Sequence, residues 1–334
     1  MPWRDTQNPY EIWVSEVILQ QTRVAQGIGY YHRFLNSFPT LESLANADQE
    51  AVLKVWQGLG YYSRARNLHQ GSKYVLQQFS AIIPANFDEL LKIKGIGEYT
   101  ASAIASFAFN LPYAVVDGNV SRVISRIYGI YDPINSTLGI KLIRDIANQI
   151  LDTERPGINN QAIMEFGALQ CTVKKPDCSV CPLINECYAY NHLTIDLLPV
   201  KIKKQKVRDR YFHYLIISFQ NAIFMQKRME KDIWEGLYEF PLIETDQPVS
   251  IDTLKQHEDW LSLFQNSTAH ITRQSNVFKH LLSHQKINAA FIHISQDEYP
   301  LGLTNKSLLV QKKDIEKYPV PKLIENYLIE IQLI

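Results

Sequence analysis

Leu90-Leu91-Lys92-Ile93-Lys94-Gly95-Ile96-Gly97-Glu98-Tyr99-Thr100-Ala101 places two glycines around one apolar residue between two helical patterns. Glycine turns a backbone tightly at no steric cost, and a new helix starts directly after Gly97. The N–H groups at that helix start would point at an anion. Nothing in the loop is suited to reading a base, so a DNA phosphate is a natural ligand. A plain helix-linking turn has the same local pattern, and the surrounding sequence has to decide between them.

Outward from the turn, Val115-Val116-Asp117-Gly118-Asn119-Val120 opens a helix carrying Val120, Val123, Ile124 and Ile127, with Asp117 as its candidate N-cap. Farther on lie all four cysteines of the chain, Cys171, Cys178, Cys181 and Cys187. Thiolates this close can ligate a metal centre; CxxC is also zinc spacing, and disulfides are not expected. The CX6CX2CX5C spacing resembles the [4Fe-4S] loop of the endonuclease III superfamily of DNA glycosylases. The glycine turn resembles the helix–hairpin–helix of the same superfamily, with Gly95 and Gly97 at the DNA backbone. In that superfamily the aspartate matching Asp117 stabilises positive charge building on the sugar.

Composition sets looser bounds. The 334 residues are 46% hydrophobic and 20% charged, ordinary for a globular chain of about two domains. Lys plus Arg and Asp plus Glu are 34 each, and this balance argues mildly against a DNA-binding protein. Local basic clusters remain: Arg64/Arg66, Lys92/Lys94, Lys174/Lys175, and the run Lys201, Lys203, Lys204, Lys206, Arg208 and Arg210, whose bland reading is a solvated linker. No signal peptide or membrane-spanning run is evident, so the expected place is the cytoplasm, nucleoid-associated through DNA binding.

From Tyr10 to Ala189 the chain reads as helices with short breaks, and Ile12–Tyr31 carries Val14, Val17, Ile18 and Leu19 at helical spacing. Pro39 and Pro84 mark loops, Gly129 and Pro133 close a helix, and Pro156-Gly157 reads as a turn. From Tyr211 the pattern becomes β-prone. Tyr211–Phe219 and Ala222–Gln226 around Gln220-Asn221 suggest a hairpin, Ala289–Ile294 another strand, and Lys322–Ile331 a closing helix. The expected architecture is an all-α helix–hairpin–helix glycosylase domain over 1–196, with the hairpin at about 90–117 and the iron–sulfur loop at 171–187. A basic linker at 197–210 and an α+β Nudix-like domain at 211–334 follow.

Glu16 lies in Ser15-Glu16-Val17-Ile18-Leu19-Gln20-Gln21-Thr22, with Ile12, Trp13, Val17 and Leu19 around it. Apolar surroundings raise a carboxyl pKa and suit a general acid. The string resembles the catalytic helix of the MutY family of adenine DNA glycosylases, as does Trp56-Gln57-Gly58-Leu59-Gly60-Tyr61-Tyr62-Ser63-Arg64-Ala65-Arg66. The resemblance covers nearly the whole chain. It implies removal of adenine mispaired with 8-oxoguanine or guanine in double-stranded DNA, by a monomer with no membrane role. It further implies that Glu16 protonates adenine N7 and that Asn119 holds the reacting groups. Trp3 and Gln161 would line the adenine pocket, Gln21 and Tyr62 would wedge into the duplex, and Thr22 and Leu59 would contact the oxidised nucleotide. Tyr62 also reads as an ordinary core tyrosine. Tyr99 stands where strand-cutting relatives carry a lysine nucleophile, and Ser121 where some members carry another, so base removal without strand cleavage is expected.

Trp234-Glu235-Gly236-Leu237-Tyr238-Glu239-Phe240-Pro241 resembles the WxGLWxFP segment of the family's Nudix-like domain. No REXXEE cluster follows, so nucleotide hydrolysis is not expected. Leu282-Ser283-His284 stands for the family's FSH loop, with leucine in place of phenylalanine; Ser283 and His284 would hydrogen-bond the oxidised guanine. The chain starts at Met1-Pro2-Trp3-Arg4, a string that family members reach only after a further helix carrying an arginine near the adenine. Either the start is misassigned or that helix is missing. The rival readings are an endonuclease III-like glycosylase/lyase, against which Tyr99 and the second domain argue, and a catalytically silent iron–sulfur protein that binds damaged DNA.

Overall fold

The computed structural model describes residues 1–202, 207–264, 269–296, 301–303 and 307–334. Contacts gather the chain into two compact units, Met1–Asn46 with Asn67–Lys204 and Ala47–Arg66 with Gln205–Ile334. Residues 47–66 lie within the helical run in sequence, yet their contacts assign them to the second unit.

In the first unit, α1 (Pro9–Leu19) starts where Asn8 accepts the Tyr10 N–H and Pro9 occupies the first helical position. The segment Ile12–Tyr31 is helical but holds a break: α1 ends at Leu19 and α2 spans Val24–Ser37. No glycine or proline marks this break. Gln21 adopts a φ of 60° there, a conformation that side chains disfavour. Helix α3 (Leu41–Ala45) carries a Thr40/Ser43 capping box. Helix α4 (Gln49–Trp56) falls in the second unit, and α5 (Ser63–Phe79) begins there. The glycine turn joins α6 (Phe87–Lys92) to α7 (Glu98–Phe109), and α1 packs on α7.

Helix α8 (Gly118–Tyr128) ends at Gly129 with a φ of 68°, the left-handed stop that glycine permits. Then come α9 (Thr137–Gln149), α10 (Pro156–Leu169) and the short α11 (Tyr188–Asn191). Pro156-Gly157 is not a turn but the start of α10. Proline suits a first helical position because its missing N–H has no partner there. Gly157 lets α10 press against α7: a Cβ at Gly157 would lie 2.8 Å from the Ser106 carbonyl oxygen. Val120, Ile124, Ile143 and Ala147 bury the seam between α8 and α9.

The second unit is built on a mixed sheet to which the described residues contribute eight strands. Strand β1 (Arg208–Phe219) turns through Gln220-Asn221 into β2 (Ala222–Lys227), pairing Phe219 with Ala222. Strands β3 (Tyr238–Glu239) and β4 (Leu242–Thr245) follow, then helices α12 (Ile251–Leu254) and α13 (Glu258–Phe264). Beyond them lie β5 (His270–Gln274), β6 (Phe278–Leu281), β7 (Gln285–Gln296) and β8 (Leu308–Gln311), closed by α14 (Lys322–Glu330). β1 and β7 run parallel from Arg208 opposite Gln285 to Phe219 opposite Gln296. Leu215, Ile217, Phe224, Ile292 and Ile294 form one core with Trp260 and Phe264 of α13.

The basic linker is shorter than expected, because β1 already begins at Arg208. Arg210 is not a solvated charge. Its guanidinium is 9% exposed and pairs with Glu244 at 2.6 Å and Asp232 at 2.8 Å. Lys203, Lys204 and Lys206 lie outside the described residues.

Candidate active site

Asp117 caps α8. One carboxylate oxygen accepts the Asn119 N–H at 2.8 Å and the Val120 N–H at 2.7 Å, and the other accepts the Asn119 side-chain amide at 2.9 Å. A cap of this kind fixes the carboxylate against a helix N-terminus. Asn119 is fixed in turn, since its carbonyl oxygen accepts from Arg122 at 2.9 Å. The Ser121 hydroxyl donates to the Asp117 carbonyl at 2.7 Å.

Glu16, on α1, is buried at 7% exposure. Burial pushes its carboxyl up to about 7, nearby Asp117 pushes the same way, and the Tyr99 hydrogen bond and Arg4 pull it back. Tyr99, on the first turn of α7, donates its hydroxyl to Glu16 at 2.7 Å. Burial and this carboxyl hold the phenol well above its ordinary range, so Tyr99 stays a donor. The result is two carboxyls in different environments, one desolvated and near neutrality and the other held by backbone N–H groups.

Trp3 is buried and meets Tyr31 edge-on, with ring centroids 5.4 Å apart. Its neighbour Arg4 forms an ion pair with Glu165 on α10. Gln161, one turn before Glu165 on that helix, is half-buried. The glycine turn exposes Gly95 and Gly97 while Ile96 between them is buried. Gly95 has a φ of +86°, and a Cβ there would meet Asn67 at 2.7 Å, so no other residue fits. Gln21 is exposed at the break after α1 and Thr22 is half-buried beside it.

The four cysteines carry no disulfide and line one cavity of about 30 Å³, together with Arg126, Ile127, Phe166, Leu183 and Ile195. Burial and the other three sulfurs push the Cys178 thiol up. Among the described residues no three His, Cys, Asp or Glu side chains converge on a single-ion site. Two arginines of α8 tie the loop to the helix. Arg126 donates to the carbonyls of Thr172 at 2.7 Å, Val173 at 3.2 Å and Leu198 at 3.0 Å, and meets the Cys171 sulfur at 3.4 Å. Arg122 donates to the Cys171 carbonyl at 2.7 Å as well as to Asn119. One side chain thus links the cysteine loop to the partner of Asp117. Sequence reasoning passed over both arginines, although their spacing of four puts them on one face of α8.

In the second unit Tyr62, the residue expected as a wedge, is buried and its neighbour Tyr61 is exposed. Tyr62 is 4% exposed, and its hydroxyl lies 3.2 Å from the Gly58 nitrogen and 3.4 Å from the Val320 carbonyl oxygen. A side chain buried this way belongs to the core. Tyr61 is 48% exposed, with a φ of 48°. The Gly60 carbonyl beneath it accepts from Trp56 at 3.1 Å and Arg64 at 3.2 Å. Leu59 is buried at 7% exposure. Ser283 and His284 are exposed in the tight connection between β6 and β7. The Ser283 hydroxyl lies 2.8 Å from that of Tyr61, so both expected recognition strings of this unit meet in one place.

Residues 14–138 match the family model described as HhH-GPD superfamily base excision DNA repair protein, and residues 213–330 match a NUDIX domain model. The chain is 37% identical to the adenine DNA glycosylase of Buchnera aphidicola subsp. Baizongia pistaciae (strain Bp), over 85% of this chain and 78% of that one. It is 30% identical to the adenine DNA glycosylase of Buchnera aphidicola subsp. Acyrthosiphon pisum (strain APS), over 98% of this chain and 93% of the relative. Among solved structures it is similar to a thermostable thymine-DNA glycosylase, with a TM-score of 0.54, 27% identity, and coverage of 57% of this chain and 88% of that one.

Proposed function

Because this chain belongs to the adenine DNA glycosylase family, acting on DNA as a hydrolase of N-glycosidic bonds, we propose that it removes adenine mispaired with 8-oxoguanine or guanine. The observation that carries this is the pair of unlike carboxyls, Glu16 raised to about 7 by burial and Asp117 held by two backbone N–H groups. Adenine leaves the duplex at a cost of about a few kcal/mol, least at a mismatch, and enters beside Trp3 and Gln161. Glu16 protonates N7, which makes the base a good leaving group. Asp117, steadied by Asn119, stabilises the oxocarbenium-like sugar until water closes the abasic site. Tyr99 holds the Glu16 carboxyl in position through its hydrogen bond.

DNA is the partner. Gly95 and Gly97 offer their backbone and the N-terminus of α7 to a phosphate, and Gln21 and Thr22 stand at the exposed break after α1. In the second unit Tyr61, rather than Tyr62, serves as the wedge, with Ser283 and His284 reading the base opposite adenine; Leu59, buried like Tyr62, is given no such contact. No helix among the described residues is long and apolar enough to cross a membrane. The reading includes a monomer acting in the cytoplasm, bound to the nucleoid through DNA.

Duplex carrying adenine opposite 8-oxoguanine tests this directly. Abasic sites should appear that break only on alkali treatment, and borohydride should trap little protein on the DNA, because a phenol at position 99 forms no Schiff base. Strand breaks without alkali and efficient trapping would favour the lyase reading; no abasic sites would favour the silent binder.

Cys171, Cys178, Cys181 and Cys187 would hold a [4Fe-4S] cluster. The four thiols line a shared apolar cavity, and four thiolates are the ligand set of such a cluster. Ligating such a cluster, the four cysteines would order the loop that carries Lys174 and Lys175, and base removal as derived from Glu16 and Asp117 draws on no redox step. Protein prepared without air should be brown and contain iron and acid-labile sulfide in equal amounts; zinc in their place would overturn the assignment. Cys178→Ser should lower yield and DNA affinity together, because losing a ligand loosens the whole loop.

A further inference from the structure

We infer that Asn160 is a positioning residue for Asp117, a role that rests on the reading of Asp117 given above. Between α7 and α8 the chain crosses residues 110–117 without helix or strand. Such a segment has no ladder to fix it, and its buried polar groups need partners from elsewhere. Asn160, in the second turn of α10 and 3% exposed, supplies them. Its carbonyl oxygen accepts the Val115 N–H at 3.0 Å, and its amide nitrogen donates to the Tyr113 carbonyl at 2.9 Å. The second amide hydrogen goes to the Ser106 hydroxyl at 3.0 Å, which itself donates to Ser102 at 2.8 Å. The amide is held from behind by α7 and clamps both polar groups of the strap from in front. Asn148 also accepts from this stretch, from the Ala114 N–H, at a longer 3.4 Å.

Two residues beyond the clamp, Asp117 has to meet the Asn119 and Val120 N–H groups while standing beside Glu16. Val115 is 1% exposed, so without Asn160 its N–H would lose its partner in the core and the strap would shift to recover one. Residue 161 follows directly, so the same turn of α10 fixes the strap and presents the candidate adenine-pocket glutamine.

Single-turnover adenine release from duplex with adenine opposite 8-oxoguanine tests this, with amplitude and rate constant measured separately. Affinity is read on duplex carrying a tetrahydrofuran abasic analogue opposite 8-oxoguanine. Asn160→Ala should lower the rate constant about 10- to 100-fold, since small misplacements of reacting groups cost rates of that order, while affinity stays close to wild type. Asn160→Asp, when protonated, keeps one donor and one acceptor in the same plane. Its rate divided by that of wild type at the same pH should therefore rise as pH falls. The inference is overturned if Asn160→Ala loses only amplitude, the remaining active protein working at the wild-type rate. It also falls if the Asn160→Asp ratio ignores pH, or if neither variant yields folded protein. A slow Asp117→Asn beside a full-speed Asn160→Ala would remove this inference alone. A full-speed Asp117→Asn would remove the reading of Asp117 and the inference with it.

Discussion

Glu16→Gln should bind duplex carrying adenine opposite 8-oxoguanine and release adenine about 10²- to 10⁴-fold more slowly than wild type, the usual loss when a general acid is removed. The amide has nearly the shape of the protonated carboxyl and can still accept the Tyr99 hydrogen bond, now 2.7 Å long. What it lacks is a proton it can give up. A single-turnover rate within a few-fold of wild type would remove Glu16 from its role.

The pH dependence follows from the same group. Burial raises the Glu16 carboxyl to about 7, so the acid form is populated below that pH and lost above it. The adenine-release rate of wild type should be flat on the acid side and fall as pH rises through about 7. Glu16→Gln should show no such limb. Stability moves in the same direction. A carboxyl raised on folding binds more protons folded than unfolded between its ordinary pKa of 4.5 and about 7. Stability is therefore fully present below that window and declines across it as pH rises. Glu16→Gln removes the decline, so its melting temperature should exceed that of wild type at pH 8 and not at pH 4. A matching fall in both melting curves would mean that Glu16 does not carry the shift.

The features legible in the sequence were those with one local cause. Gly95 and Gly97 announce the hairpin, and at Gly95 the turn excludes a side chain, while Gln220-Asn221 announces the β1–β2 turn because apolar runs flank it. The cysteine loop is legible because spacing alone brings four thiols together. The break after Leu19 was not legible: Gln21 takes a left-handed φ without a glycine, a strain that only tertiary packing sustains. Tyr61 and Tyr62 are identical in type and adjacent, so sequence could not say which faces outward; burial of one hydroxyl against Gly58 and Val320 does. Arg122, Arg126 and Asn160 carried no signal in the sequence. Their partners are main-chain carbonyls and N–H groups from distant segments, which no local pattern encodes. Pro156-Gly157 misled because the signals for a turn and for a helix start overlap.

Asp117→Asn separates the two jobs of that residue. As a cap, asparagine is about as good as aspartate, and its carbonyl oxygen can keep the Asn119 and Val120 N–H bonds now at 2.8 and 2.7 Å. Melting temperature should therefore stay close to wild type. Chemistry should not. A neutral amide offers no charge to a developing oxocarbenium ion, and its nitrogen would face the Asn119 amide nitrogen that now donates to Asp117 at 2.9 Å. Two donors facing each other would twist Asn119 away and release its bond from Arg122. Losing one preorganised electrostatic partner at a reacting centre typically costs about 10²- to 10³-fold in rate. Asp117→Asn should lose at least that much in single-turnover adenine release while still binding the abasic analogue. A variant as fast as wild type would reduce Asp117 to a helix cap, and one that unfolds would mean that capping and charge cannot be separated here.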